Sequence, residues 1–130
     1  MENTNKPVCK IVLPLPAKEL SPNYCPGSFG GRINKSKKAK KYRAMACQLL
    51  LAEDLQGLPF DKVSVKPVYY HKVKRRRDVD NFMGCLKSAY DGLVDGGLCE
   101  DDNWEIMEKL PPSFEIDKPH PRVELIIFRI

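Results

Sequence analysis

Asp80-Asn-Phe-Met-Gly-Cys-Leu-Lys-Ser-Ala-Tyr-Asp-Gly-Leu-Val-Asp-Gly-Gly97 is the stretch on which the fold turns. Phe82, Leu86, Ala89 and Leu93 fall at i, i+4, i+7 and i+11 on one helical face, while Asp80-Asn81 offers an N-cap and Gly96-Gly97 a stop. The spacing predicts a single amphipathic helix over 81–95. Just upstream, residues 62–72 alternate Val63, Val65, Pro67 and Tyr69 with Ser64, Lys66, Val68 and Tyr70. That pattern predicts a strand, with Pro67 pointing to a sheet edge or a bulge. Tyr42, Met45, Ala46 and Leu49 keep helical spacing over 37–53. A long basic loop at 17–36, broken by Pro22, Pro26, Gly27, Gly30, Gly31 and Asn34, precedes that helix. Residues 10–15 read as a short strand stopped by Pro14 and Pro16, and 1–8 as a frayed tail.

Downstream, 99–103 is an acidic turn, 104–110 a strand and 111–121 a proline-rich connection. The end of the chain, with Val123, Leu125, Ile126, Ile127 and Phe128, is too continuously apolar for a half-exposed strand, so a central strand buried on both faces is expected. The order is β-α-β-α-β-β: an α+β fold, one small domain over 1–130, with a mixed sheet and two main helices. A length of 130 residues with 42% hydrophobic and 30% charged positions supports one soluble core and excludes a two-domain enzyme or a disordered chain. No apolar run reaches the ~20 residues that cross a bilayer, and the start lacks the layout of a signal peptide, so a cytoplasmic protein is expected. Cys9, Cys25, Cys47, Cys85 and Cys99 are scattered and never form Cys-x-x-Cys, which favours reduced, mostly buried thiols over a zinc site. A reactive cysteine served by His71 or His120 is the weaker alternative.

The net charge of +5 hides a segregation. Arg32, Lys35, Lys37, Lys38, Lys40, Lys41 and Arg43 form one run without an acid, and Lys72, Lys74, Arg75, Arg76 and Arg77 form another. Such clustering costs self-repulsion that a polyanion relieves, so nucleic acid is favoured over a merely solvated surface. Asp78 and Asp80 follow the second run directly, at i and i+2. In an extended backbone both would point to one side and could share a hard cation, although capping of a helix explains Asp80-Asn81 about as well. Glu100, Asp101 and Asp102 make a second acidic cluster after the helix. Carboxylates beside arginines are what metal-dependent phosphodiester hydrolysis needs, the first to hold the metal and the second to bring the phosphate. Tyr24, Phe29 and Tyr42, in or beside the first basic run, are candidates to stack on bases, with core packing the better use of Tyr42. Asp91 and Asp95 read as ordinary helix-surface acids.

Arg75-Arg-Arg-Asp-Val-Asp-Asn81 and Lys87-Ser-Ala-Tyr-Asp-Gly-Leu-Val-Asp-Gly-Gly-Leu-Cys-Glu-Asp-Asp102 closely resemble the RusA family of Holliday-junction resolvases, many of them carried by phages. Leu13-Pro-Leu-Pro16, Leu20-Ser-Pro-Asn23 and the Lys-Lys-Tyr-Arg run extend the likeness over most of the chain, weakening across 109–121. The resemblance implies a homodimeric endonuclease that uses Mg²⁺, or Mn²⁺ in its place, to nick four-way DNA junctions symmetrically in recombination or repair. It implies no membrane partner and no small-molecule cofactor. The aspartates of the family pattern fall on Asp78, Asp80 and Asp102, as catalytic and metal-binding residues. The family's lysine falls on Lys87, six residues after Asn81, where the commoner form has it three after, at Gly84. Arg75, Arg76, Arg77, Lys37, Lys38, Lys40, Lys41 and Arg43 are the DNA-binding candidates.

A helix over 81–95 is ~22 Å long and the chain from 96 to 102 reaches at most ~25 Å. Asp102 could barely return to Asp78. Either the helix breaks or bends near Gly84 or Gly92, or the third carboxylate comes from a partner subunit. The competing function is a non-catalytic nucleic-acid-binding protein of the same fold, with an RNA-directed nuclease more distant. Acids from 95 to 108 close to a basic surface serve a pure binder poorly.

Overall fold

The computed structural model describes residues 6–130. Two layers make up the fold: a mixed five-stranded sheet, and helices that cover one face of it. β1 (Cys9–Leu13) and β2 (Val63–His71) flank β5 (Arg122–Arg129), both antiparallel to it. β3 (Met107–Lys109) and β4 (Ser113–Ile116) then run parallel to successive halves of β2. The register aligns Ile11, Leu125 and Pro67, and next to them Leu13, Val123 and Tyr69. These rows meet Tyr42, Ala46 and Leu50 of α1 (Phe29–Ala52) and Ala89, Tyr90 and Leu93 of α3 (Lys87–Asp95) in one buried core. A fully buried Leu contributes about 1.5–3 kcal/mol of transfer free energy. Leu13, Leu50, Leu86, Leu93 and Leu125 are all buried to 1% exposure or less.

The α+β class, the mixed sheet and the single domain stand as the sequence predicts, with several corrections. The helix at 81–95 is in fact two, α2 (Val79–Gly84) and α3, separated at Cys85 and Leu86. A Cβ on Gly84 would lie 2.2 Å from Pro22 Cγ, so the N-terminal loop packs closely on the last residue of α2, next to the break. Of the two breakpoints considered, the chain uses Gly84. Gly92 serves close packing instead, because a Cβ there would lie 2.2 Å from the Arg43 carbonyl oxygen of α1.

The basic loop also ends earlier than 36. Ser28 caps α1, its Oγ accepting from Gly31 N at 3.0 Å, and the glycines at 30 and 31 fall inside the first helical turn. Pro67 marks neither an edge nor a bulge. β2 is interior, and its proline falls between the stretch that pairs with β3 and the stretch that pairs with β4, where no ladder bond is lost. The connection at 111–121 contains the unforeseen β4. β5 is central as expected but not apolar on both faces. Glu124 is buried on the second face beneath Lys10 at 3.6 Å and Arg122 at 2.8 Å. Of the expected tail, residues 1–5 lie outside the described residues, whereas Val8 N already bonds to Ile127 O at 2.8 Å. All five cysteines are free, with Cys9, Cys85 and Cys99 buried and Cys25 exposed. Burial pushes the Cys9 thiol up to about 11, which leaves it inert at neutral pH. Among the described residues no helix is long and apolar enough to cross a membrane.

Candidate functional site

β2 ends at His71, and residues 72–78 form an irregular loop leading into α2. Lys72, Lys74, Arg75 and Arg76 are exposed there, and Arg77 is half-buried. Arg77 Nη2 donates to Val73 O at 3.0 Å, and its guanidinium stands 5.9 Å from the Phe82 ring centre. Partial burial, and then the neighbouring charge of Arg75, lower the Arg77 pKa. Asp78 and Asp80 are both exposed. Among the described residues, no cation of this loop comes within 4.0 Å of either carboxylate to form an ion pair.

Asp78, not Asp80, is the N-cap of α2. Its backbone is extended at φ −95°, ψ 111°, and its carboxylate accepts from Asp80 N at 3.1 Å. Asp80 is already helical, so the extended geometry that would aim both carboxylates to one side is absent. Asn81 is not the cap either: its Oδ1 accepts from Ser21 Oγ at 2.5 Å, tying the N-terminal loop to α2. No residue of α2 is fully buried, so what holds the helix in place is an aromatic cluster. Phe82 packs edge-on to Tyr69 with centroids 4.9 Å apart, and Tyr69 Oη donates to Phe82 O at 2.7 Å. His71 and Phe114 complete the cluster. His71 is buried, its Nε2 has no hydrogen-bond partner, and burial, reinforced by Arg77, lowers its pKa. The imidazole is therefore neutral at pH 7.

Lys87 opens α3 and meets the second acidic cluster. Its Nζ donates to Asp102 Oδ2 at 2.6 Å and to Asp91 Oδ1 at 3.0 Å, and Lys109 Nζ reaches the same Asp102 oxygen at 3.3 Å. Lys87, with help from Lys109, holds the Asp102 carboxyl below the usual carboxylate range. Asp102 and then Asp91 raise the Lys87 pKa in turn. Asp101 shapes the turn, accepting from Asp102 N at 2.8 Å and Asn103 Nδ2 at 2.9 Å. The structure thus brings Lys87 and Asp102 together but does not gather Asp78, Asp80 and Asp102. Among the described residues, no three His, Cys, Asp or Glu side chains are placed to hold a metal ion. Hard carboxylate oxygens suit Mg²⁺, and Asp78 and Asp80 are the exposed carboxylates that adjoin the basic loop.

α1 carries the first basic run on its surface. Lys37, Lys40 and Lys41 are exposed, and among the described residues none is in an ion pair. Lys38 instead bonds the buried Glu19 at 2.9 Å. Arg43 forms a fork on Asp95, at 2.5 and 2.8 Å, and approaches Asp91 at 3.9 Å. Asp91 and Asp95 are therefore not idle surface acids: they hold α1 against α3. Sequence reasoning missed these pairings, along with Lys109 and Glu19, because each joins residues far apart in the chain. Tyr42 is buried and donates to Pro14 O at 2.7 Å, whereas Phe29 is 70% exposed beneath Arg32. No protein-family model matches this chain, and no curated protein matches it.

Proposed function

We propose that this chain is a metal-dependent endonuclease that acts on four-way DNA as a homodimer. The observation that carries the reading is the segment 72–80, where five cations and two carboxylates adjoin without neutralising one another among the described residues. A ligand that completes both charge sets at once is a phosphate together with a divalent cation. Asp78 and Asp80 would hold Mg²⁺, or Mn²⁺, and the metal when bound supplies an activated water and neutralises charge at the phosphate. Arg75, Arg76 and Arg77 bind the phosphates flanking the cut, and Lys37, Lys40 and Lys41 grip a junction arm. Lys87 exchanges Asp102 for a phosphate oxygen, which leaves Asp102 a third carboxylate held by Lys109 alone.

A second reading, a non-catalytic nucleic-acid-binding protein, is favoured by one observation. Asp78 is occupied as a cap and Asp102 is neutralised by two lysines. The readings separate on a labelled synthetic four-way junction and a linear duplex of the same sequence, each with Mg²⁺ and with EDTA. Symmetric nicks on the junction alone, lost with EDTA, support the endonuclease. Tight junction binding without nicks in Mg²⁺ or Mn²⁺ refutes it in favour of the binder.

A further inference from the structure

The basic loop and β4 enclose a groove of about 590 Å³ beside the acid pair. Its walls are Val73, Val79, Phe114 and Ile116, with the His71 ring among them, and Lys74, Arg75 and Arg77 line it as well. Val73, Val79 and Ile116 are 47%, 40% and 52% exposed, so three branched apolar side chains face water in one concavity. Phe114 and His71 lie 6.0 Å apart at 27°, giving the groove a layered aromatic side. Glu115 is the one acid along it, outnumbered by the three cations.

A lining that mixes apolar walls with cations fits a ligand that is flat and apolar in one part and anionic in another. Paired, stacked DNA offers its phosphates but no base face. A nucleotide that has left the stack offers both, and the size lies within the ~300–1,000 Å³ of ordinary ligand clefts. We propose that this groove receives one unstacked nucleobase of the strand to be cut, its phosphates lying on Lys74, Arg75 and Arg77. This assignment rests on the endonuclease reading. Val79 stands between Asp78 and Asp80, so the captured nucleotide adjoins the phosphate those carboxylates serve. The groove thereby selects a strand whose base is free to leave the stack, a property of an open junction centre rather than of a duplex.

The test uses the full chain and four-way junctions with 2-aminopurine at successive positions around the exchange point, in EDTA. Wild type should raise the fluorescence at one position in each of two strands. Ile116→Ser and Val73→Ser, both at exposed positions, should abolish the rise and weaken junction binding about 5- to 10-fold. Circular dichroism checks that they remain folded. Loss of the rise in the variants supports the groove; an undiminished rise, or no rise at any position, overturns it. If wild type nicks junctions while the variants keep the signal, the groove assignment alone falls. If wild type binds no junction, the endonuclease reading falls with it. Binding to phosphatidylserine vesicles that the same variants lose would overturn the proposal in favour of an anionic lipid.

Discussion

A glycine series tests how the fold positions the site, because three glycines meet three different surroundings. At Gly92 an added Cβ would lie 2.2 Å from the Arg43 carbonyl oxygen and 2.9 Å from Ala46 Cβ. A backbone oxygen cannot swing aside, so α1 and α3 must separate by more than an ångström and loosen the Arg43 fork on Asp95. Overpacking of this kind costs about 3 kcal/mol, offset by about 1 kcal/mol of helix propensity, for a net loss of roughly 2 kcal/mol in Gly92→Ala. At Gly84 the obstacle is the Pro22 ring, which belongs to a surface loop that can give way. The loss there is about 1 kcal/mol, mainly the Ser21 to Asn81 bond. Gly30 meets nothing within 4 Å, and Gly30→Ala should stabilise by about 0.5–1 kcal/mol. For a chain of this size, about 4 °C of melting temperature corresponds to 1 kcal/mol. Thermal unfolding followed by circular dichroism should rank Gly30→Ala above wild type, then Gly84→Ala, then Gly92→Ala some 8 °C below wild type. A Gly92→Ala melting temperature equal to or above wild type would refute the packing argument.

The Lys87 and Asp102 pair makes a pH prediction. The lowered carboxyl gives stability that is present above its unfolded value of about 3.9 and lost as pH falls through the folded value; the raised lysine gives stability present below about 10.4 and lost as pH rises through its folded value. Lys87→Ala should therefore cost up to about 1 kcal/mol between those limits, a small sum because the Lys87 side chain is 64% exposed, and nothing in strong acid. Carboxyl NMR should show Asp102 titrating higher in the variant but still below normal, because Lys109 remains; an unmoved Asp102 would contradict the pairing. On α1, replacing Lys37, Lys40 and Lys41 with Ala should reduce the salt dependence of junction binding by about 0.9 in the log–log slope for each phosphate no longer neutralised, without lowering the melting temperature. Lys38→Ala should behave oppositely, since it strips the partner from buried Glu19.

β2 and the later turns of α1 were legible because their patterns are local: alternation over 62–72 and helical spacing around Tyr42 and Ala46 are properties of contiguous residues. The break at Cys85 was only half legible. Reach arithmetic required some interruption near Gly84 or Gly92, but the loop that packs on Gly84, at Pro22, lies some sixty residues away. The capping role of Asp78 was hidden for a similar reason. Asp80-Asn81 carries an equally good capping signal, and the choice is made by Phe82 docking edge-on to Tyr69, which fixes where the helix starts. β4 was missed because its flanking prolines read as a connection, and a four-residue strand gains its order from pairing with β2. At the site, the sequence located the acids and cations but not their pairing. Lys87 does turn toward Asp102, whereas Asp78 and Asp80 remain apart from it.

The proposed endonuclease requires Asp80 as a metal-holding carboxylate. Wild type and Asp80→Asn should be compared for junction binding in EDTA and for nicking in Mg²⁺. The variant keeps the charge run, the Asp78 cap and the fold, so binding equal to or tighter than wild type with nicking lost is the predicted result. Nicking at the wild-type rate by Asp80→Asn would contradict it.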